Sequence, residues 1–152
     1  MWLTHSVYVE ASADDVFAFW KDPTNQFALA PDARAELVSL WITESGVGRS
    51  YRTAVKVAGR TVPGPSTVFT EVIPDRLIVD RSSMGLHGTW RYDFEPEGSG
   101  TRLTMRGQPR GLWRLPGIAS VVDRVMCPRH ERMLAALKEV LENTDEHAGR
   151  PG

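Results

Sequence analysis

His130, Tyr51 and Arg81 are the side chains of this 152-residue chain best suited to moving a proton or holding an oxyanion. His130 stands in VMCPRHERMLAAL (125–137), among Met126, Met133, Leu134 and Leu137, on a helix side that should be apolar. An imidazole titrates close to neutrality and can exchange a proton with an enolisable ligand. Tyr51 and Arg81 are hydrogen-bond donors able to polarise a carbonyl and face the charge developing on its oxygen. Each has a plainer reading. His130 can be a core histidine bonded to a backbone carbonyl, or Arg129 can be the inward residue instead; Tyr51 can be packing, and Arg81 half of a rim ion pair.

Other chemistries find no support. Cys127 is the single cysteine, so neither an intrachain disulfide nor a thiolate cluster can form. His5, His87, His130 and His147 lack ligand spacing, and HERML is half of a zinc-protease motif. GVGRSY (46–51) lacks the third glycine of a dinucleotide loop, and no GxSxG occurs. No metal and no cofactor are expected. The net charge of −1 gives no global pull towards nucleic acid or anionic lipid. Residues 102–132 nevertheless carry seven arginines (102, 106, 110, 114, 124, 129, 132) against Asp123 and Glu131, either a solvated surface or a basic rim. No run approaches about 18 apolar residues, so no membrane span is expected. The N-terminus lacks a signal-peptide pattern, and a cytoplasmic protein is the expectation.

The elements that must position these residues follow from pattern. LTHSVYVEA (3–11) alternates with period two and predicts a strand. Ser12 and Asp15 form an N-terminal cap for a helix over 13–21, halted at Asp22-Pro23, and TNQFALA allows a second short turn. Six strands are predicted at 34–43, 48–57, 60–73, 76–83, 86–95 and 101–107, separated by Gly, Pro, Asp and Ser turn chemistry. Such tight connections predict an antiparallel meander, with a bulge or edge at Pro63-Gly64-Pro65. GQPRGLWRLPGIAS (107–120) reads as a connector to a helix over about 118–143. The organisation is α+β, one domain over 1–143 with a flexible tail at 144–152. The C-terminal helix must cover the sheet, because two short helices cannot.

Alternation assigns the faces. Leu86, Trp90, Tyr92 and Phe94 share one side of their strand, as do Leu103 and Met105, and Tyr51, Val55 and Val57. These make a broad apolar inner face. Strand 76–83 is undecided: Leu77-Val79-Arg81 competes with Ile78-Asp80-Ser82, and either brings a charge inward. A charge there is costly in a dry core and natural beside a ligand. Trp20, Trp90, Tyr92, Met105, Met126 and Met133 are the candidate ligand-binding side chains. Pro128 cannot donate to Arg124 and should bend or restart the helix. Ile118, Val121, Val122, Val125 and Met126 would then point one way, and His130, Met133, Leu134, Leu137 and Leu141 another.

ADDVFAFWKDP, GVGRSYRTAVKVAGR, FTEVIPDRLIVDRS and TWRYDFEPEGSGTRLTM, in this order before a C-terminal helix, resemble the START-like (helix-grip, SRPBCC) superfamily in its polyketide cyclase/dehydrase branch. The resemblance covers about residues 3–142 and specifies fold far better than substrate. It implies a seven-stranded curved antiparallel sheet wrapped around a long C-terminal helix, two short helices after the first strand, and an internal cavity. It also implies an apolar or aromatic small-molecule ligand. Within that class the expectation is a cyclase/dehydratase-like enzyme that folds a ketone-rich substrate; the alternative is a carrier or sensor without chemistry. A homodimer is compatible with the sequence.

Overall fold

The computed structural model describes residues 3–29, 35–83 and 87–148. The chain forms β1 (Leu3–Val9), α1 (Ala13–Lys21), α2 (Pro23–Leu29), β2 (Ala35–Trp41), β3 (Ser50–Val57), β4 (Arg60–Ile73), β5 (Leu77–Ser83), β6 (Gly88–Glu97) and β7 (Gly100–Pro109). A 3₁₀ turn at Gly111–Arg114 then leads into α3 (Pro116–Ala148). Ser12 caps α1 as its type and position require, its hydroxyl accepting from the Asp15 N–H. Pro23 opens α2, where its missing N–H costs nothing.

All seven strands join one antiparallel sheet in the order β1-β7-β6-β5-β4-β3-β2, so each meander strand lies beside its sequence neighbour and β1 closes on β7. The expected irregularity at Pro63–Pro65 is present as a register shift between β3 and β4. Further shifts fall between Leu37 and Ser39 and between Phe69 and Glu71. Such bulges bend a sheet and strengthen its twist. β7 runs two residues past its expected end, through Gln108 and Pro109, because β6 supplies pairing partners there.

α3 lies along β1 and against α2 and the 3₁₀ turn. Near its far end it is tied down by polar contacts: Lys138 Nζ donates to the Tyr8 carbonyl at 3.1 Å, and the Glu10 N–H donates to Glu142 at 2.9 Å. His130, Leu134 and Leu137 are its buried stripe, packed on Leu3, Trp90, Leu103 and Met105 among others. Two expectations about α3 need correction. The helix runs through Pro128 without restarting, and it continues to Ala148, past the expected boundary at 143. The tertiary contacts on either side outweigh one missing hydrogen bond. Val121 does not join the inner stripe: it is 59% exposed. Leu86 and the side chains of Val55, Val57, Val122 and Val125 lie outside the described residues.

Candidate functional site

The sheet register decides which polar groups turn towards the helices. Opposed residues of an antiparallel pair share a face. One row runs through Phe69, Asp80, Trp90, Gly107 and Leu3; the next runs through Val72, Ile78, Tyr92, Met105 and His5. Towards the β3–β4 hairpin lies a third row containing Tyr51, Thr67 and Ser82. Ile78-Asp80-Ser82 is therefore the inward set of β5, and Asp80 is the charge it brings. The face left open by sequence is settled, because Asp80 pairs with Trp90 and Ile78 with Tyr92.

Asp80 is 1% exposed, and its Oδ1 has no hydrogen-bond partner among the described residues. Loss of hydration pushes its carboxyl up to about 7, against the opposing pull of the Tyr92 phenol directed at it. The same burial holds both Tyr92 and Tyr51 above the ordinary phenol range, and the Asp80 charge adds to each. Thr67 and Arg129 act on Tyr51 in the opposite sense. Trp20 packs on Tyr92, ring centroids 5.3 Å apart, and its buried Nε1–H also lacks a partner among the described residues. A carboxyl that is half protonated near neutrality, flanked by two neutral phenols, can donate and accept a proton beside an apolar guest.

A second group adjoins the first through the Asp80–Trp90 pairing. Gly107 sits opposite Trp90, and a Cβ there would lie 2.1 Å from the indole, so the ring lies flat against the glycine backbone. That seat turns Trp90 to meet His130 edge-on at 5.0 Å, with His5 at 5.4 Å from the same imidazole. His130 is 6% exposed, and its Nδ1 and His5 Nε2 are both without partners among the described residues. Burial, followed by His5 and Arg129, pulls the His130 imidazole down to about 4. His130 is inward, as one reading held, and is not bonded to a carbonyl through Nδ1. It is neutral at pH 7, so it offers an acceptor nitrogen and not a cation.

Arg81 departs from its expected place. It lies on the outer face of β5 and lines a surface pocket of about 300 Å³ with Ser82, Ser83, His87, Gly88, Thr89 and Arg110. The alternation that turns Asp80 inward turns Arg81 away from Tyr51 and His130. Trp20 and Met105 are fully buried, and Trp90 and Tyr92 nearly so; Met126 and Met133 are partly buried against the same core. Phe27 of α2 meets Tyr51 edge-on at 5.8 Å, and both keep some exposed surface. Asp80 stands in the sequence as one of two alternatives for the inward charge, and its pairing with Phe69 and Trp90 decides between them; Thr67 and His5 carry no signal in the sequence as site residues. Among the described residues no group of three His, Cys, Asp or Glu gathers as metal ligands, and no helix is long and apolar enough to cross a membrane.

Residues 3–142 match the family model described as polyketide cyclase / dehydrase and lipid transport. The chain belongs to this family. No curated protein matches it. Among solved structures, the START-like chain is similar to protein NE0264 of Nitrosomonas europaea, at 15% identity and a TM-score of 0.72, covering 95% of this chain and 96% of that one. A START superfamily protein of Mycobacterium smegmatis shares 19% identity at a TM-score of 0.70, over 94% and 98% of the two chains. The Aha1 dimer of Colwellia psychrerythraea gives 11% identity and a TM-score of 0.64, over 93% and 96%. At these identities the structures establish the START-like fold alone, and the family establishes a small-molecule-binding class.

Proposed function

We propose that this START-like protein binds an apolar, ketone-bearing molecule between the sheet and its helices and promotes its cyclisation and dehydration. The observation that carries the reading is Asp80: a buried carboxyl with a free oxygen, titrating near neutrality, on an otherwise aromatic inner face. In its ionised form Asp80 takes a proton from the carbon between two carbonyls. The resulting enolate carbon adds to a second carbonyl of the same chain, whose oxygen receives hydrogen bonds from Tyr51 and Tyr92. Asp80 returns the proton to that oxygen, and the hydroxyl leaves as water with loss of a neighbouring proton. His130 accepts a hydrogen bond from the ligand through Nδ1, and Trp20, Trp90, Met105, Met126 and Met133 form the apolar walls. Confinement of the chain in a reactive shape supplies much of the acceleration, as well-oriented intramolecular reactions do. Arg81 has no part in this step.

The test is the turnover of an aryl triketone followed by mass spectrometry. Asp80→Asn should slow cyclisation by roughly a hundred-fold, the range of one general acid–base group, while binding of the probe persists. A second reading, carriage of an intact ligand, is favoured by the His130 imidazole, which is neutral and whose Nδ1 has no partner to orient it among the described residues. Unaltered triketone retained by wild type in native mass spectrometry, with no product, supports the carrier and overturns the enzyme.

A further inference from the structure

We infer that the end of the molecule formed by the β5–β6 junction, the 3₁₀ turn and the start of α3 docks on an anionic phospholipid surface. Two independent features meet there. The first is apolar. Leu112 is 71% exposed, Leu115 50% and Val121 59%, and they occupy the 3₁₀ turn and the outer side of the first turns of α3. Gly117, Val121 and Arg124 fall on one exposed face at helical spacing, so the valine is presented beside a guanidinium.

The second feature is the pocket of about 300 Å³ lined by Arg81, Ser82, Ser83, His87, Gly88, Thr89 and Arg110. It presents two guanidiniums, an imidazole and the Thr89 hydroxyl, and no carboxylate among the described residues lines it. Neither Arg81 nor Arg110 forms an ion pair with a described residue. Planar guanidinium forks and hydroxyls are the donors that recognise a phosphate oxygen. The two features are joined rigidly. The Arg110 N–H donates to the His87 carbonyl at 3.0 Å, and Gly111, at φ +65°, lies so close to His87 that a Cβ would sit 2.9 Å from its Nε2. The exposed Leu112 therefore follows two residues after Arg110 of the pocket, on the segment these contacts hold in place.

Cationic groups that attract a headgroup, with aliphatic tips beside them that enter the acyl boundary, make the two signals that peripheral membrane attachment needs. A protein partner fits less well, since the exposed apolar side chains described at this end are aliphatic, without the aromatic anchors of protein interfaces among the described side chains. Docking does not depend on the interior chemistry proposed above.

The experiment is flotation of the full chain with phosphatidylcholine vesicles and with vesicles holding about one-third phosphatidylglycerol, at about 0.1 M and about 1 M salt, where the screening length falls from about 10 Å to about 3 Å. The chain should float with the anionic vesicles at low salt only. Arg81→Gln with Arg110→Gln should weaken partitioning roughly thirty-fold, the expected effect of two surface charges. Leu112→Ser with Leu115→Ser should weaken it about ten-fold or more while leaving the melting curve unchanged, as expected for exposed side chains. Absence of flotation overturns the inference, as does binding that ignores both double variants. Equal affinity for free glycerol phosphate, or capture of an acidic protein without vesicle binding, would also overturn it.

Discussion

Asp80 and His130 are both buried and both prefer to be neutral, and they make opposite contributions to stability as pH changes. The Asp80 carboxyl titrates at about 7 in the folded chain against an ordinary 3.8. The folded state therefore holds a proton that the unfolded state has lost, and stability falls as pH rises from about 4 through 7. The gap corresponds to about 4 kcal/mol once the carboxylate is fully ionised. His130 titrates at about 4 against an ordinary 6.5. Here the unfolded state binds the extra proton, so stability rises with pH between about 4 and 6.5, by about 3 kcal/mol. Neither group perturbs the other, so in the wild type the two slopes nearly cancel below pH 6.5 and the Asp80 loss emerges above it. Asp80→Asn removes the first slope and leaves the second. Urea unfolding followed by tryptophan fluorescence from pH 4.5 to 8.5 measures this directly. The difference between Asp80→Asn and wild type should swing in favour of the variant by roughly 3–4 kcal/mol across that range. This is a large share of the 5–15 kcal/mol that holds a domain of this size. His130→Phe should show the reverse difference, confined to the acid half. Parallel curves for Asp80→Asn and wild type would refute the burial argument, and with it the neutral-pH proton exchange assigned to Asp80.

Two further outcomes follow from packing. Gly107→Ala places a methyl group 2.1 Å from the Trp90 ring, which must move off its seat and away from His130; a loss of about 1–3 kcal/mol and a changed near-ultraviolet circular dichroism spectrum are expected. Leu137→Ala empties a fully buried position between α3 and the sheet, and chemical denaturation should register a loss of about 2–5 kcal/mol.

Much of this protein was legible along the chain because its strands alternate strongly and its turns carry their own chemistry. Trp90, Tyr92, Phe94, Leu103 and Met105 all face inward as their spacing required, since a one-residue slip would expose every one of them. Ser12 and Pro23 mark helix starts by local hydrogen bonding and fixed φ, which need no distant partner. The site was less legible. Both faces of β5 mix apolar and charged residues, so only pairing with β4 and β6 could turn Asp80 in and Arg81 out. The proline in α3 allows a bend or a restart by local sterics, and packing along both halves keeps the helix from restarting at Pro128. The approach of His5 to His130 joins the first strand to the last helix across 125 positions, a contact that no local pattern encodes. Sequence alone determined the elements, their faces and the antiparallel meander, because those rest on nearest-neighbour sterics and the burial of apolar stripes. Only the tertiary structure decided which carboxyl loses its water, since desolvation depends on what the fold stacks above it.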